Sequence, residues 1–318
     1  MMRKNISLLL ILNIIASGIV KCQDVLFSQY FLNSLDLNPA VAGSIDYPRL
    51  FFHYRNQWPA FGSTFVSYQG SYDQYIKSIN GGIGLNFIRD NVSDGAITNT
   101  KVDIIYSRRF KINDGFKVQA GLQTSLNFFS INASSLNENL TSSQSTQPDV
   151  GIGFLGITRY SEYGLSVDHL NTGYMKFSGA YVPSPIKFSV FYKRKIKLST
   201  SDKSDSRIYY LTPAFLVQRQ SNSTYFNYGA GFEYNNLMAG LYIRNNLPMQ
   251  VTNAIFAVGI TLGNWRIGYS YDYNFLSLKN IMPMTGAHEI TIVAIFPPDP
   301  KKQRYQAVPC PKNINQNL

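Results

Sequence analysis

From about residue 49 to residue 296, apolar and polar side chains alternate with a period of two. Phe116 to Phe128 is the clearest stretch. Val118, Ala120, Leu122, Thr124, Leu126 and Phe128 fall on one side; Lys117, Gln119, Gly121, Gln123, Ser125 and Asn127 fall on the other. A strand sends these two sets to opposite faces, whereas a helix would scatter both around its circumference. The same separation holds for Phe226, Tyr228, Ala230, Phe232 and Tyr234 against Tyr225, Asn227, Gly229, Gly231 and Glu233. It holds again for Trp265, Ile267, Tyr269, Tyr271 and Tyr273 against Arg266, Gly268, Ser270, Asp272 and Asn274.

Such segments predict about fourteen strands. They cover 49–56, 64–73, 81–89, 97–110, 116–128, 149–160, 162–170, 186–198, 207–219, 223–234, 236–244, 252–262, 264–273 and 287–296. Many run to about 9–13 residues, enough to cross a bilayer at a tilt. Strands of soluble proteins favour about 5–6. The weakest member is 207–219, because Pro213 has no N–H to give to a ladder.

The connections sort by length. With the first strand running outward, the tight-turn sequences Asn113-Asp114-Gly115, Asn235-Asn236 and Gly263-Asn264 all fall at the periplasmic end. The long connections 129–148, 171–185 and 274–286 all fall at the outer end. Outer-membrane barrels have this asymmetry of short inner turns and longer outer loops. Two connections break the sorting: 199–206 is a longish inner turn and 220–222 a short outer one. The predicted fold is therefore all-β, a transmembrane antiparallel β-barrel of the outer membrane.

Composition agrees with this pattern. Charged residues are only 15% of the chain, against roughly 25% in average soluble domains, so the second face of each strand is wet but largely uncharged. Tyr and Phe number 22 and 21, which suits a lipid-facing surface. The net charge is +11. Its Lys and Arg are spread through strands and turns, and no nucleic-acid-binding motif accompanies them. The densest run, Lys193-Arg194-Lys195 with Lys197, lies inside a predicted strand.

The first residues read as a secretory signal peptide: Arg3 and Lys4, then the apolar stretch Ile6 to Ala16. Cleavage after Cys22 leaves Gln23 first. Lys21 is a poor neighbour for lipoprotein-type cleavage at Cys22, and Cys310 would then be the one remaining cysteine. The expected organisation is a signal peptide over 1–22, a barrel over 23–296 with a lead-in segment over 23–48, and a flexible Pro-rich periplasmic tail over 297–318. After the signal no run of 18 apolar residues occurs, so no transmembrane helix is expected.

Few residues suggest chemistry. His53, His169 and His288 have no metal-ligand spacing. Asp90 to Gly95 resembles a calcium loop but lacks its alternating carboxylates and later Glu, and reads as a hairpin turn. Gly81-Gly82-Ile83-Gly84 opens a strand and cannot cradle a phosphate; these glycines are expected to relieve crowding in a bent wall. No cofactor, metal or catalytic set is expected. By the alternation, Arg55, Asp168, Arg244, Asp272 and Glu289 point into the lumen near its outer mouth. The plain reading is charge pairing that fills and stiffens the lumen. The functional one is a surface that grips a polypeptide or plug. The neighbouring carboxylates Asp272 and Glu289 are a weak argument for hydrolysis.

These residues also carry a family resemblance. It runs through Gln23-Asp24, Phe27-Ser28-Gln29-Tyr30, Asn38-Pro39-Ala40, Ala42-Gly43, Tyr54-Arg55-Asn56-Gln57-Trp58-Pro59 and Ser71-Tyr72-Asp73. It continues through Asp168-His169-Leu170, Tyr242-Ile243-Arg244-Asn245, Gly268-Tyr269-Ser270-Tyr271-Asp272 and Gly286-Ala287-His288-Glu289-Ile290. In this order and spacing the chain resembles the PorP/SprF family of type IX secretion proteins of Bacteroidota, from about Gln23 to Phe296. Asn33-Ser34 departs from the Asn-Pro common there, and the Pro-rich tail is longer than expected.

The resemblance implies a non-enzymatic outer-membrane component of the type IX secretion and gliding machinery. Its implied partners are other components of that machine, a large surface adhesin with a C-terminal sorting domain, a periplasmic peptidoglycan-binding protein for one branch of the family, and outer-membrane lipid. No nucleic acid is implied, and no catalytic residue is carried over. The alternative reading is an outer-membrane channel for small or apolar solutes, since a barrel of about fourteen strands is wide enough unless filled.

Overall fold

The computed structural model describes residues 24–59, 65–132, 142–171, 174–177, 180–198, 209–247, 250–275 and 286–297. The expected signal peptide and nearly all of the expected tail lie outside these residues.

The strands are β1 (Arg49–Gln57), β2 (Phe65–Ile76), β3 (Gly81–Val92), β4 (Ile97–Asn113), β5 (Phe116–Ile131), β6 (Ser143–Thr158), β7 (Ser161–Asp168), β8 (Tyr174–Phe177) and β9 (Ala180–Pro183). They continue with β10 (Lys187–Arg194), β11 (Ile196–Leu198), β12 (Tyr209–Gln220), β13 (Ser223–Tyr234), β14 (Leu237–Asn246), β15 (Gln250–Leu262), β16 (Trp265–Asn274) and β17 (Ala287–Ile295). All wall pairings are antiparallel and join neighbours, and β1 pairs with β17 from Arg49↔Ile295 to Gln57↔Ala287, closing the sheet. β8 and β9 pair only with each other. β10 and β11 are one wall strand interrupted at Lys195. The result is a closed antiparallel barrel of fourteen wall strands, as the periodicity predicts. Closure matters because a membrane offers no water to an unpaired strand edge.

Pro213 is tolerated for a visible reason. Its ladder to β13 runs unbroken through Pro213↔Ala230, and the opposite neighbour is interrupted at the same level, between β10 and β11. There the Lys195 N–H turns away to the Tyr160 carbonyl.

The wall sorts its side chains as predicted. Ile104, Leu85, Val258, Phe256 and Phe154 are more than half exposed on the outer face, where lipid would cover them. Gln119, Ser107, Asp103, Ser270 and Thr291 are fully buried on the inner one. Two loop expectations need correction. Residues 129–131 and 143–148 belong to β5 and β6, not to a loop, because these 16-residue strands outrun the bilayer, which needs about 9–11 tilted residues. The 171–185 connection carries the β8–β9 hairpin. Most of 274–286 lies outside the described residues.

The lead-in segment is inside the barrel. Asp24 exchanges hydrogen bonds with Gln220, the outermost residue of β12. Further along, Ser28 and Gln29 meet Glu289, Asn38 meets β6 and β7, and Arg49 opens β1 at the inner end. The segment thus threads the lumen from outer mouth to periplasmic end. A short 3-10 turn, Pro39–Val41, begins where the Asn38 side chain accepts from the Ala40 N–H. Tyr30, Leu35, Leu37, Ala40, Val41 and Ala42 form an apolar cluster with Ile105, Leu155, Phe191, Leu216, Tyr242 and Ile255 of the wall. The hydrophobic core of this barrel is a plug.

Candidate functional site

Four of the five predicted lumen residues converge on one point of the plug. β1 and β17 place Arg55 directly across from Glu289, β16 brings Asp272 beside them, and β14 brings Arg244. Arg55 lies 2.9 Å from Asp272 and 3.0 Å from Glu289. Arg244 lies 3.5 Å from Asp272. The two cations and two carboxylates balance, which buried charges require.

Ser28 sits at their centre. Its Oγ donates to Asp272 at 2.6 Å and accepts from Arg55 at 3.0 Å and from Arg244 at 2.8 Å. Both carboxylate oxygens of Glu289 take backbone N–H groups, from Ser28 and Gln29, each at 2.8 Å. The Gln29 amide donates to the Glu289 carbonyl at 2.9 Å. Rings flank this contact: Phe27 lies 5.1 Å from His53, and Phe31 stacks on Tyr242 at 4.6 Å. The charges therefore pair with one another and also seat the plug.

Asp168, the fifth residue, belongs to a second cluster that clamps Asp24. Lys187 Nζ is 2.7 Å from Asp24 and 3.5 Å from Asp168. His169 places Nε2 3.0 Å from Asp24 and Nδ1 2.7 Å from Asp149. Burial would raise the Asp24 carboxyl, but Lys187 and His169 hold it well below the usual range. Burial would likewise lower His169, yet Asp24 and Asp149 push it up to about 9. The three histidines are apart, with His53 on the Phe27 ring, His169 in this clamp, and His288 on the outer face hydrogen-bonded to Tyr269.

Glycines shape the lower socket. A Cβ at Gly121 would stand 2.2 Å from the Ala40 nitrogen, at Gly153 2.0 Å from Asn38, and at Gly82 2.1 Å from the Ala42 carbonyl. Sequence reasoning assigned the glycines near residue 82 to relief of wall crowding. At Gly82 the crowding comes from the plug instead. Asn38 also donates its amide to the carbonyls of Phe154 and Leu165, bridging β6 and β7. At the inner end the Gly43 N–H donates to Asp73, which also pairs with Arg49.

Above the seat lies a cavity of about 370 Å³. Arg55 and Arg244 are part of its lining, with Trp58, Phe65, Asp90 and the Asp24–Leu26 arm of the plug.

The stretches that carry the family resemblance are the ones gathered here. Phe27–Tyr30, Asn38–Ala40 and Ala42-Gly43 are plug; Arg55, Arg244, Asp272 and Glu289 are seat; Asp168-His169 belong to the clamp. Sequence reasoning missed Asp24, Ser28 and Lys187 as members of these clusters. The signal for the first two was the motif segments of the lead-in, which have no strand period of their own.

A family model described as "Type IX secretion system membrane protein PorP/SprF" matches residues 19–293. No curated protein sequence matches significantly. Among solved structures the chain is similar to the CymD monoaromatic hydrocarbon channel, at 10% identity, TM-score 0.48, over 85% of this chain and 93% of that one. It is also similar to the Pseudomonas putida toluene transporter TodX, at 9% identity, TM-score 0.44, over 83% and 92%. CdiB from Acinetobacter baumannii gives 5% identity, TM-score 0.43, over 79% and 60%.

Proposed function

The chain belongs to the PorP/SprF family of type IX secretion system membrane proteins, and on that premise we propose that it is a non-enzymatic outer-membrane component assisting the secretion or surface anchoring of an adhesin that bears a C-terminal sorting domain. The observation that carries the reading is the match over residues 19–293, whose motif residues gather on a plug and its seat. The polar contacts of both clusters run mainly to the plug and to one another, which supports a fastening rather than a catalytic set. We assign the lumen-mouth residues Arg55, Asp168, Arg244, Asp272 and Glu289 a part in partner engagement through the plug they hold. The partners proposed are the type IX machine, the adhesin, outer-membrane lipid and, on the inner side, a peptidoglycan-binding protein.

The alternative of a channel for small or apolar solutes meets a lumen occupied by buried plug residues from Phe27 to Ala42. Deleting the gene separates the readings. The secretion reading expects a surface adhesin to be lost and restored by the wild-type gene. Normal display of every type IX cargo, together with failed uptake of a small solute, would contradict it.

A further inference from the structure

The contacts around residues 27–32 are those of a peptide site. We propose that this seat binds a bent polypeptide segment of the secreted partner, and that the chain's own arm occupies it in cis until that segment arrives. The proposal deepens the secretion reading and rests on it only for the source of the segment.

The seat selects a definite chemistry. Glu289 takes two consecutive backbone N–H groups, which an extended strand would point to opposite sides; the bend at Ser28 and the turn that follows, where the Leu32 N–H donates to the Gln29 carbonyl, bring both to one carboxylate. Between Arg55, Arg244 and Asp272 there is room for a small hydroxyl that donates to one carboxylate and accepts from two guanidiniums. Serine meets that demand, and an apolar side chain would strand buried charge. The amide niche taken by Gln29 follows directly, with rings at His53 and Tyr242 for an aromatic on either side. Because the four seat charges balance, the segment must be neutral here. The ligand is an aromatic–Ser–Gln segment followed by further aromatics.

The plug is also held unequally along its length. From Asn38 to Gly43 it meets Gly82 and Gly121 with its backbone, so one added carbon would overlap main chain, whereas at Gly268 the wall meets only the side-chain ends of Gln29 and Leu32 on the arm. The arm above has open space on two sides. The mouth cavity runs along Asp24–Leu26, and a second cavity runs along Phe31 and Leu32 to the Asn235–Leu237 turn. The inner wall also holds hydrogen-bonding groups that the arm does not use. The Asn227 amide and the hydroxyls of Ser270 and Thr291 are buried without a hydrogen-bond partner. The lower plug is thus a fixed anchor, and the arm is the part with room to leave. Among the described residues the mouth cavity reaches Arg55 and Arg244 from the outer end.

The test uses the purified full-length protein in detergent and a fluorescent peptide copying residues 25–32, read by anisotropy. Self-occupancy lowers apparent affinity by the fraction of seats that are open. Variants that weaken only the arm, Ser28→Val and Gln29→Ala, should therefore bind the peptide at least about tenfold more tightly than wild type. Adding Glu289→Gln to either should remove that gain, and a peptide with Leu in place of its Ser should not bind. Each variant is first shown to be folded by its different migration on gels when unheated. Folded arm variants that bind no better than wild type would overturn the proposal, as would equal binding of the Leu peptide. If the peptide binds as predicted but gene deletion leaves every adhesin displayed, the site stands and the secretion reading falls.

Discussion

Asp24 is the outermost described residue of the plug, and three donors from the wall hold it: Lys187, His169 and Gln220. Its clamp makes stability depend on pH in a definite direction. The charged neighbours of His169 are Asp24 on the plug, Asp149 on β6 and Lys187 on β10. The folded value of about 9 stands above the ordinary 6.5. Protonated His169 therefore contributes fully below about pH 6.5, and the contribution is lost as pH rises through 9. For Asp24, held low, the contribution is present above ordinary carboxylate values and lost in acid. The temperature of the heat-induced gel shift should fall between pH 6.5 and 9 in wild type and stay nearly flat over that range in His169→Asn. The same slope in both proteins would remove His169 from the clamp. Nothing in the sequence around His169 announces this role, because its partners come from positions 24 and 149.

The strands were legible in the sequence and the plug was not, for one physical reason. A wall strand is divided between lipid and lumen, so alternation is written into every second residue. The lead-in segment is surrounded by wall on all sides and carries no period. What betrays it is glycine on the inward face. In β5, Gly121 lies between Gln119 and Gln123 where any side chain would meet the plug backbone. Gly121→Ala should cost about 1–3 kcal/mol by overpacking. Gly115→Ala, in the β4–β5 turn with only the Asn113 side chain nearby at 3.6 Å, should cost far less. Melting of the two variants side by side checks this, and equal losses would show that the 38–43 segment does not press on the wall. The same logic explains the loop corrections. Alternation continues past the membrane in β5 and β6 with polar residues on the outward side, so the strand outlives its hydrophobic signature.

At the scale of the whole molecule, the inward charges that sequence reasoning placed at a lumen mouth prove to be the fastening of an internal segment. The alternation puts Arg55, Arg244, Asp272 and Glu289 on inward faces, and closure of the first strand on the last brings Arg55, Asp272 and Glu289 near one another. It could not supply Ser28, because the groups that complete the seat lie between 216 and 261 residues away along the chain, except for Arg55. The barrel's lumen is filled by its own N-terminal segment, and current through single molecules in a planar bilayer tests that most directly. Wild type should conduct little. Arg55→Ala, which leaves the buried Glu289 without its cation and loosens the seat, should show discrete and frequent openings while retaining its folded gel shift. A wild-type protein that conducts as a steadily open pore, unchanged by Arg55→Ala, would contradict the plugged barrel and return the molecule to the channel reading.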